Sequence, residues 1–344
     1  MDSPGEGLRK RRAGGPARPS EQLNQLTPEQ IAQGAAMIVD NMSRVISGKR
    51  DTIELTVTMF VAHGHVLVED VPGVGKTMLA KALAASIGAS VKRIQFTPDL
   101  LPSDVTGAPI FNQATRQFEF EPGPVFANIV IADEINRASP RTQSALLECM
   151  EESQVTVEGA TYPLPDPFHV IATQNPIDME GTHALLEAQR DRFMACVSMG
   201  YPDESAERAM VRARDLGEPI DLVRPVLSLA DVTQMIVSAR RTYVADAVRD
   251  YAVALARSTR QHAALTLGAS PRAALHLVTA AKARAAVLGR GHVLPDDIQT
   301  LTVPVLAHRV MAASPARGPE AMLQAAAIIR ECMAGVRVPV PIRS

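Results

Sequence analysis

The sequence predicts an α/β fold: a doubly wound parallel sheet built around a phosphate-binding loop, interrupted by β-hairpin insertions and followed by a small all-α lid. Three observations predict it. A short apolar strand, Val66-Leu67-Val68, runs into the loop Pro72-Gly73-Val74-Gly75-Lys76-Thr77 and then into a helical run from Met78, the strand, loop, helix order of a phosphate-binding unit. Further apolar strands at 91–96, 129–132 and 168–173 alternate with helical patterns such as 141–151, as a parallel sheet covered on both faces requires. After Tyr201-Pro202 the strand signals stop, and Ala-rich helical segments follow at 231–238, 245–262, 271–288, 295–310 and 319–333.

In chain order, residues 1–20 are rich in Gly, Pro and charge with nothing to bury, and read as a flexible basic tail. No apolar stretch follows their basic cluster, so no secretory leader is expected. Thr27-Pro28-Glu29-Gln30 supplies an N-cap, a first-turn proline and a Gln three residues on, opening an amphipathic helix through Ile31, Ala35, Ile38 and Val39. A second helix is expected over 49–62, ended by His63-Gly64. His63 and His65 do not read as metal ligands, because no third ligand type clusters near them. Two hairpins are expected at 110–120, where Gln117-Phe118-Glu119-Phe120 alternates, and at 155–164, turning at Glu158-Gly159. Phe118 and Phe120 should share one apolar face, either packed on the 141–151 helix or held as a surface that passes nucleotide state to a client. The expected division is a tail at 1–20, a nucleotide-binding unit at 21–200 and a helical lid at 201–344.

Composition narrows the function. In 344 residues, 35 Lys and Arg face 37 Asp and Glu, so net charge gives no footprint for nucleic acid. Aromatics are only 3% with no Trp, which leaves few rings for stacking bases. No apolar run is long enough to span a bilayer. The three cysteines, Cys149, Cys196 and Cys332, form no C-x-x-C pair, so reduced core thiols and a cytoplasmic setting are expected.

The chemistry gathers at a few residues. Glycines in 72–77 let backbone N–H groups converge on phosphates, Lys76 reaches the β and γ phosphates, and the Thr77 hydroxyl serves Mg²⁺. Asp70 stands where the first glycine of G-x-x-x-x-G-K-[ST] belongs; Asp tolerates left-handed backbone angles, so the loop can still form, and the effect of its charge on nucleotide affinity is left open. The strand at 129–132 delivers Asp133 to orient Mg²⁺ and Glu134 to activate water. Asn175, after the strand ending at Thr173, is positioned to hold the attacking water, and Arg192 is a candidate finger toward a neighbour's phosphate. Ser270-Pro271-Arg272 combines an N-cap, a first-turn proline and a charge mounted to point at a ligand.

VEDVPGVGKT, FANIVIADEINRASPRTQSALLECMEESQVTV, FHVIATQNP and EAQRDRF, in that order and with hairpins between them, resemble the MoxR family of AAA+ ATPases. The resemblance runs from Val45 to Arg309 and implies Walker A at Gly73, Gly75, Lys76 and Thr77, Walker B at Asp133 and Glu134, sensor 1 at Asn175, sensor 2 at Arg272 and an arginine finger at Arg192. It implies ATP and Mg²⁺ as cofactors, a nucleotide cradle that includes Pro72, Val74 and Met78, and an adenine-packing segment at VISGK with Ile46 and Gly48. Lys49 replaces the family's usual Gln there. The family's G-T-Y-P-L-P-E-A-Q-L-D-R-F reads here as GTHALLEAQRDRF, with Arg190 extra, so Arg190 and Arg192 both stand as finger candidates. The implied activity is ATP hydrolysis by a hexameric ring that remodels or matures a protein client, with metal insertion or a von Willebrand factor A domain partner as family themes. A DNA-acting motor, a magnesium-chelatase-like subunit and a weakly hydrolysing scaffold are the alternatives.

Overall fold

A computed structural model describes residues 25–70, 73–175, 183–214, 218–314, 316 and 318–339. The tail at 1–20, Pro72, and Gly181-Thr182 of the GTHALLEAQRDRF segment lie outside the described residues. Two helices, α1 (Pro28–Ser43) and α2 (Arg50–Val61), lead into β1 (Val66–Glu69), α3 (Lys76–Ser86), β2 (Val91–Gln95) and the short α4 (Pro102–Thr106). The first hairpin, β3 (Gly107–Asn112) with β4 (Gln117–Pro122), precedes β5 (Ile129–Asp133) and α5 (Pro140–Glu152). The second, β6 (Gln154–Val157) with β7 (Ala160–Pro163), precedes β8 (His169–Gln174), α6 (Glu187–Arg190) and β9 (Ala195–Val197). Then come α7 (Glu204–Arg214), α8 (Leu229–Ala239), α9 (Asp246–Thr259), β10 (Leu265–Leu267), α10 (Pro271–Val287), α11 (Pro295–Leu306), β11 (Met311–Ala312) and α12 (Pro319–Ala334).

The central sheet has the order β2-β5-β8-β1-β9 with every pair parallel. Side chains alternate across it and build a core on each face. Val66, Val68, Ile129, Ile131, Ile171 and Ala195 join the core made with α1 to α3, which continues without a break into α8 to α11. Leu67, Val130, Ala132, Val170 and Ala172 join the opposite core with α5 and Phe168. Both faces are therefore covered, which is why these strands read as continuous apolar runs rather than alternating ones.

The α1 start carries the expected reciprocal cap: Thr27 Oγ1 accepts from Gln30 N–H at 3.3 Å and Gln30 Oε1 accepts from Thr27 N–H at 2.9 Å. The second hairpin turns at Glu158 and Gly159, both at positive φ (50° and 80°), the pairing a tight two-residue turn needs.

Several expectations are corrected. The edge strand β9 and the short α4 have no counterpart in the sequence reading, since three apolar residues or a single turn carry too little periodicity to register, while α7 falls within the stretch read as helical after Pro202 without a segment of its own. The lid is helical but not purely so, because β10 and β11 pair as a short antiparallel ribbon. Phe120 does not pack on α5: its ring stacks on Tyr162 of the second hairpin, with centroids 4.1 Å apart and planes 18° apart, and meets Phe126 edge-on. Phe118 is 70% exposed and touches Phe111 across the ribbon, so the hairpins are joined by one ring of the pair only.

Candidate active site

The carboxyl ends of β1, β5 and β8 converge, as parallel sheets require when crossovers return each strand in the same direction. β1 leads to the loop, in which Gly73 and Gly75 hold φ of +86° and +93°, a conformation that disfavours side chains. α3 starts at Lys76, so its N-terminal amides face the same space. Lys76 Nζ donates to the carbonyls of Asp70 at 2.6 Å and Gln174 at 3.3 Å, bridging β1 and β8. Burial lowers its pKa from the ordinary lysine value, against the opposing pull of Asp70, Asp133, Glu134 and Glu69.

β5 delivers Asp133, buried, whose Oδ1 accepts from the Thr173 hydroxyl at 3.1 Å and whose Oδ2 accepts from the Thr77 hydroxyl at 3.3 Å. Glu134 follows with left-handed backbone (φ +56°), its N–H donating to Thr173 Oγ1 at 2.9 Å. A non-glycine residue held there carries backbone strain, a common feature of functional positions. Gln95 Nε2 and Arg137 Nη1 donate to its carboxylate at 3.0 and 2.8 Å. Gly73, Lys76, Thr77, Asp133, Glu134, Thr173 and Asn175 line one cavity of about 160 Å³. Thr77 and Asp133 present hard oxygen donors side by side, and among the described residues no group of three His, Cys, Asp or Glu could cage a metal alone. That donor set fits Mg²⁺, which favours one or two protein oxygens supplemented by phosphates and water.

Beside it lies a mainly apolar pocket of about 130 Å³ lined by residues that include Ile46, Lys49, Val74, Gly75, Met78 and Met199. Gly48 turns the segment at φ +71°, and Lys49 Nζ donates to the Tyr201 carbonyl at 2.8 Å, tying this pocket to the end of the sheet unit.

Asp70 is engaged by the chain that follows β9. Its Oδ2 accepts from Met199 N–H at 2.7 Å, Gly200 N–H at 2.6 Å and Ser198 Oγ at 2.9 Å. Asp70 is therefore an anchor that fixes the chain after β9 against the phosphate loop.

Arg272 is likewise not found at the phosphate cavity of its own chain. It and Arg192 pair with the two oxygens of Glu151, Arg192 Nε at 3.1 Å, along a separate cavity of about 310 Å³. Ser270 stands at the N-cap position of α10 without capping it; its hydroxyl donates to both Asp191 oxygens, at 3.0 and 2.9 Å. Asp191 also accepts from Arg309 Nη1 at 2.7 Å, and Arg309, 3% exposed, reaches the Phe193 carbonyl and His276 Nδ1 as well. Burial lowers the Arg309 pKa to about 10. The loop carrying Arg192 and the helix carrying Arg272 are thus clamped together. Arg190 turns elsewhere, lining a separate cavity with Glu69 and residues of α12. Sequence reasoning missed Arg93, Gln95, Arg137, Glu151, Asp191 and Arg309, because each acquires its role from a partner on another element.

A strand-loop-helix phosphate cradle with a carboxylate pair on a parallel strand of the same sheet, β8 lying between the two, defines a P-loop nucleotide-binding protein. Residues 65–195 match the model of the ATPase family associated with various cellular activities (AAA), and residues 257–331 match the AAA lid domain. The chain is 50% identical to the uncharacterized protein YeaC of Bacillus subtilis (strain 168), over 88% of this chain and 94% of that protein. It is 41% identical to the chaperone MoxR1 of Mycobacterium tuberculosis, over 78% of this chain and 74% of that protein. A solved structure of a candidate ATPase from Cytophaga hutchinsonii superimposes with a TM-score of 0.81 at 35% identity, covering 91% of this chain and 98% of the other. The chain belongs to the MoxR family of AAA+ ATPases. No helix among the described residues is long and apolar enough to cross a membrane.

Proposed function

We propose that this protein hydrolyses ATP to ADP and phosphate and uses the cycle to remodel or mature a protein client, working in the cytoplasm as a hexameric ring. The observation that carries the reading is the single cavity in which Lys76, Thr77, Asp133, Glu134 and Asn175 meet. Lys76 and the α3 amides hold the phosphates, Thr77 and Asp133 hold Mg²⁺, Glu134 takes a proton from water, and Asn175 orients that water. The nucleotide unit is 21–200 and the lid 201–344. Arg192 and Arg272, sharing Glu151 away from their own phosphate loop, serve the γ phosphate of an adjoining subunit, with Glu151 releasing them as that phosphate arrives. The relative named a chaperone supports the client role, and a von Willebrand factor A domain protein is the candidate partner, with metal insertion a candidate outcome.

The test separates binding from chemistry. Lys76→Ala should abolish ATP binding, whereas Glu134→Gln should retain binding and lose about 10² to 10⁴ in turnover, the worth of a water-activating base. Undiminished phosphate release by Glu134→Gln would sink the assignment. The same variant, locked on ATP, should retain the client through purification.

A further inference from the structure

Strand β2 carries two polar side chains into the phosphate cavity that the roles above leave unused. Arg93 Nε donates to Asp133 Oδ2 at 2.5 Å, the same oxygen that accepts from Thr77 at 3.3 Å. The other oxygen is taken by Thr173, so Oδ2 is the one a cation between Thr77 and Asp133 would use. Arg93 Nη2 also donates to Gln95 Oε1 at 2.9 Å, and Gln95 in turn donates to Glu134 Oε2 at 3.0 Å. A continuous chain of hydrogen bonds therefore runs from Asp133 through Arg93 and Gln95 to Glu134. Both β2 residues line the cavity with Lys76 and Thr77.

A guanidinium and a divalent cation at one carboxylate oxygen compete, since each disfavours the other through like charge at contact distance. Arg93 is more than half exposed, so it can swing into solvent at little cost, whereas Asp133 is buried and fixed. We propose that Arg93 is a positioning residue that competes with the divalent cation for Asp133 and is displaced when the cation enters with nucleotide. This rests on the reading of the loop as an ATP site.

The experiment uses the full chain, Mn²⁺ as the metal probe read by electron paramagnetic resonance, and fluorescent ADP for nucleotide binding. Wild-type protein that takes up no nucleotide, with or without metal, would defeat the ATP-site reading itself. Given uptake, Arg93→Ala should bind Mn²⁺ in the presence of ADP about two- to fivefold more tightly, the scale on which a half-exposed ion pair competes. Its nucleotide affinity in excess chelator should be unchanged, and Arg93→Lys, which keeps the charge, should return most of the wild-type Mn²⁺ affinity. Equal or weaker Mn²⁺ binding by a folded Arg93→Ala protein would overturn the proposal. Weaker nucleotide binding by that variant in chelator would overturn it too, making Arg93 a phosphate ligand.

Discussion

Asp70 offers the sharpest contrast between a reading of sequence and a reading of structure. Motif spacing places it beside the phosphate loop and leaves the effect of its charge on nucleotide affinity open. Its carboxylate accepts from two backbone amides and a hydroxyl at 2.6 to 2.9 Å, all on one oxygen. Asp70→Ala strands those two amides, each costing about 1 to 3 kcal/mol when left unpaired in the interior, so the variant should lose about 3 to 5 kcal/mol. At about 2 °C per kcal/mol, the low end suited to a long chain, Tm should fall by about 6 to 10 °C. Asp70→Asn can present its amide oxygen to the same donors and forfeits only the charge assistance, for a loss of about 1 to 3 kcal/mol. Met199 and Pro202, which wall the pocket beside the phosphate loop, lie directly after or within the anchored stretch, so ATP affinity should drop in both variants. Thermal unfolding with calorimetric ATP titration measures both effects. An Asp70→Asn protein that melts at the wild-type temperature and binds ATP more tightly would refute the anchor.

The remaining predictions concern other parts of the molecule. Burial lowers the pKa of His65 to about 4 and of His169 and His276 to about 3, from an ordinary 6.5, so each binds fewer protons folded than unfolded. Their contribution to stability should be complete above pH 6.5 and decline as pH falls toward those lowered values, and denaturant titrations showing equal or greater stability at pH 5 than at pH 7.5 would contradict this. Arg192→Ala should bind ATP normally yet lose about 10³ to 10⁵ in hydrolysis, with partial rescue on mixing with Lys76→Ala subunits. Rescue by Arg190→Ala in its place would move the finger to Arg190. Phe120→Ser should cost about 2 to 3 kcal/mol by breaking the stack on Tyr162, whereas exposed Phe118→Ser should fall within about 0.5 kcal/mol, by differential scanning calorimetry of both. Equal losses in the two would contradict the asymmetry of the ribbon.

Much of this was legible in one dimension. β1, β5 and β8 are buried on both faces and so appear as unbroken apolar runs, and the capping box at Thr27 and the Glu158-Gly159 turn are local contracts between residues a few positions apart. The loop at Gly73 to Thr77 and the Asp133-Glu134 pair sit at ends of such elements, so recognising the strands located the chemistry. What the sequence left open was every relation between distant segments. Asp70 meets its partners 128 to 130 residues downstream, Arg93 meets Asp133 40 residues on, and Arg309 closes on Asp191 across 118. Sequence alone could mount Arg272 at a helix start but not aim it: Ser270 turned from capping to hold Asp191, and the helix was directed to Glu151. Periodicity and turn chemistry are written in short windows because backbone geometry is local. The direction of a charged side chain is chosen by whichever opposite charge or unpaired amide the folded chain brings within hydrogen-bond reach, and only the packed sheet and lid decide which one that is.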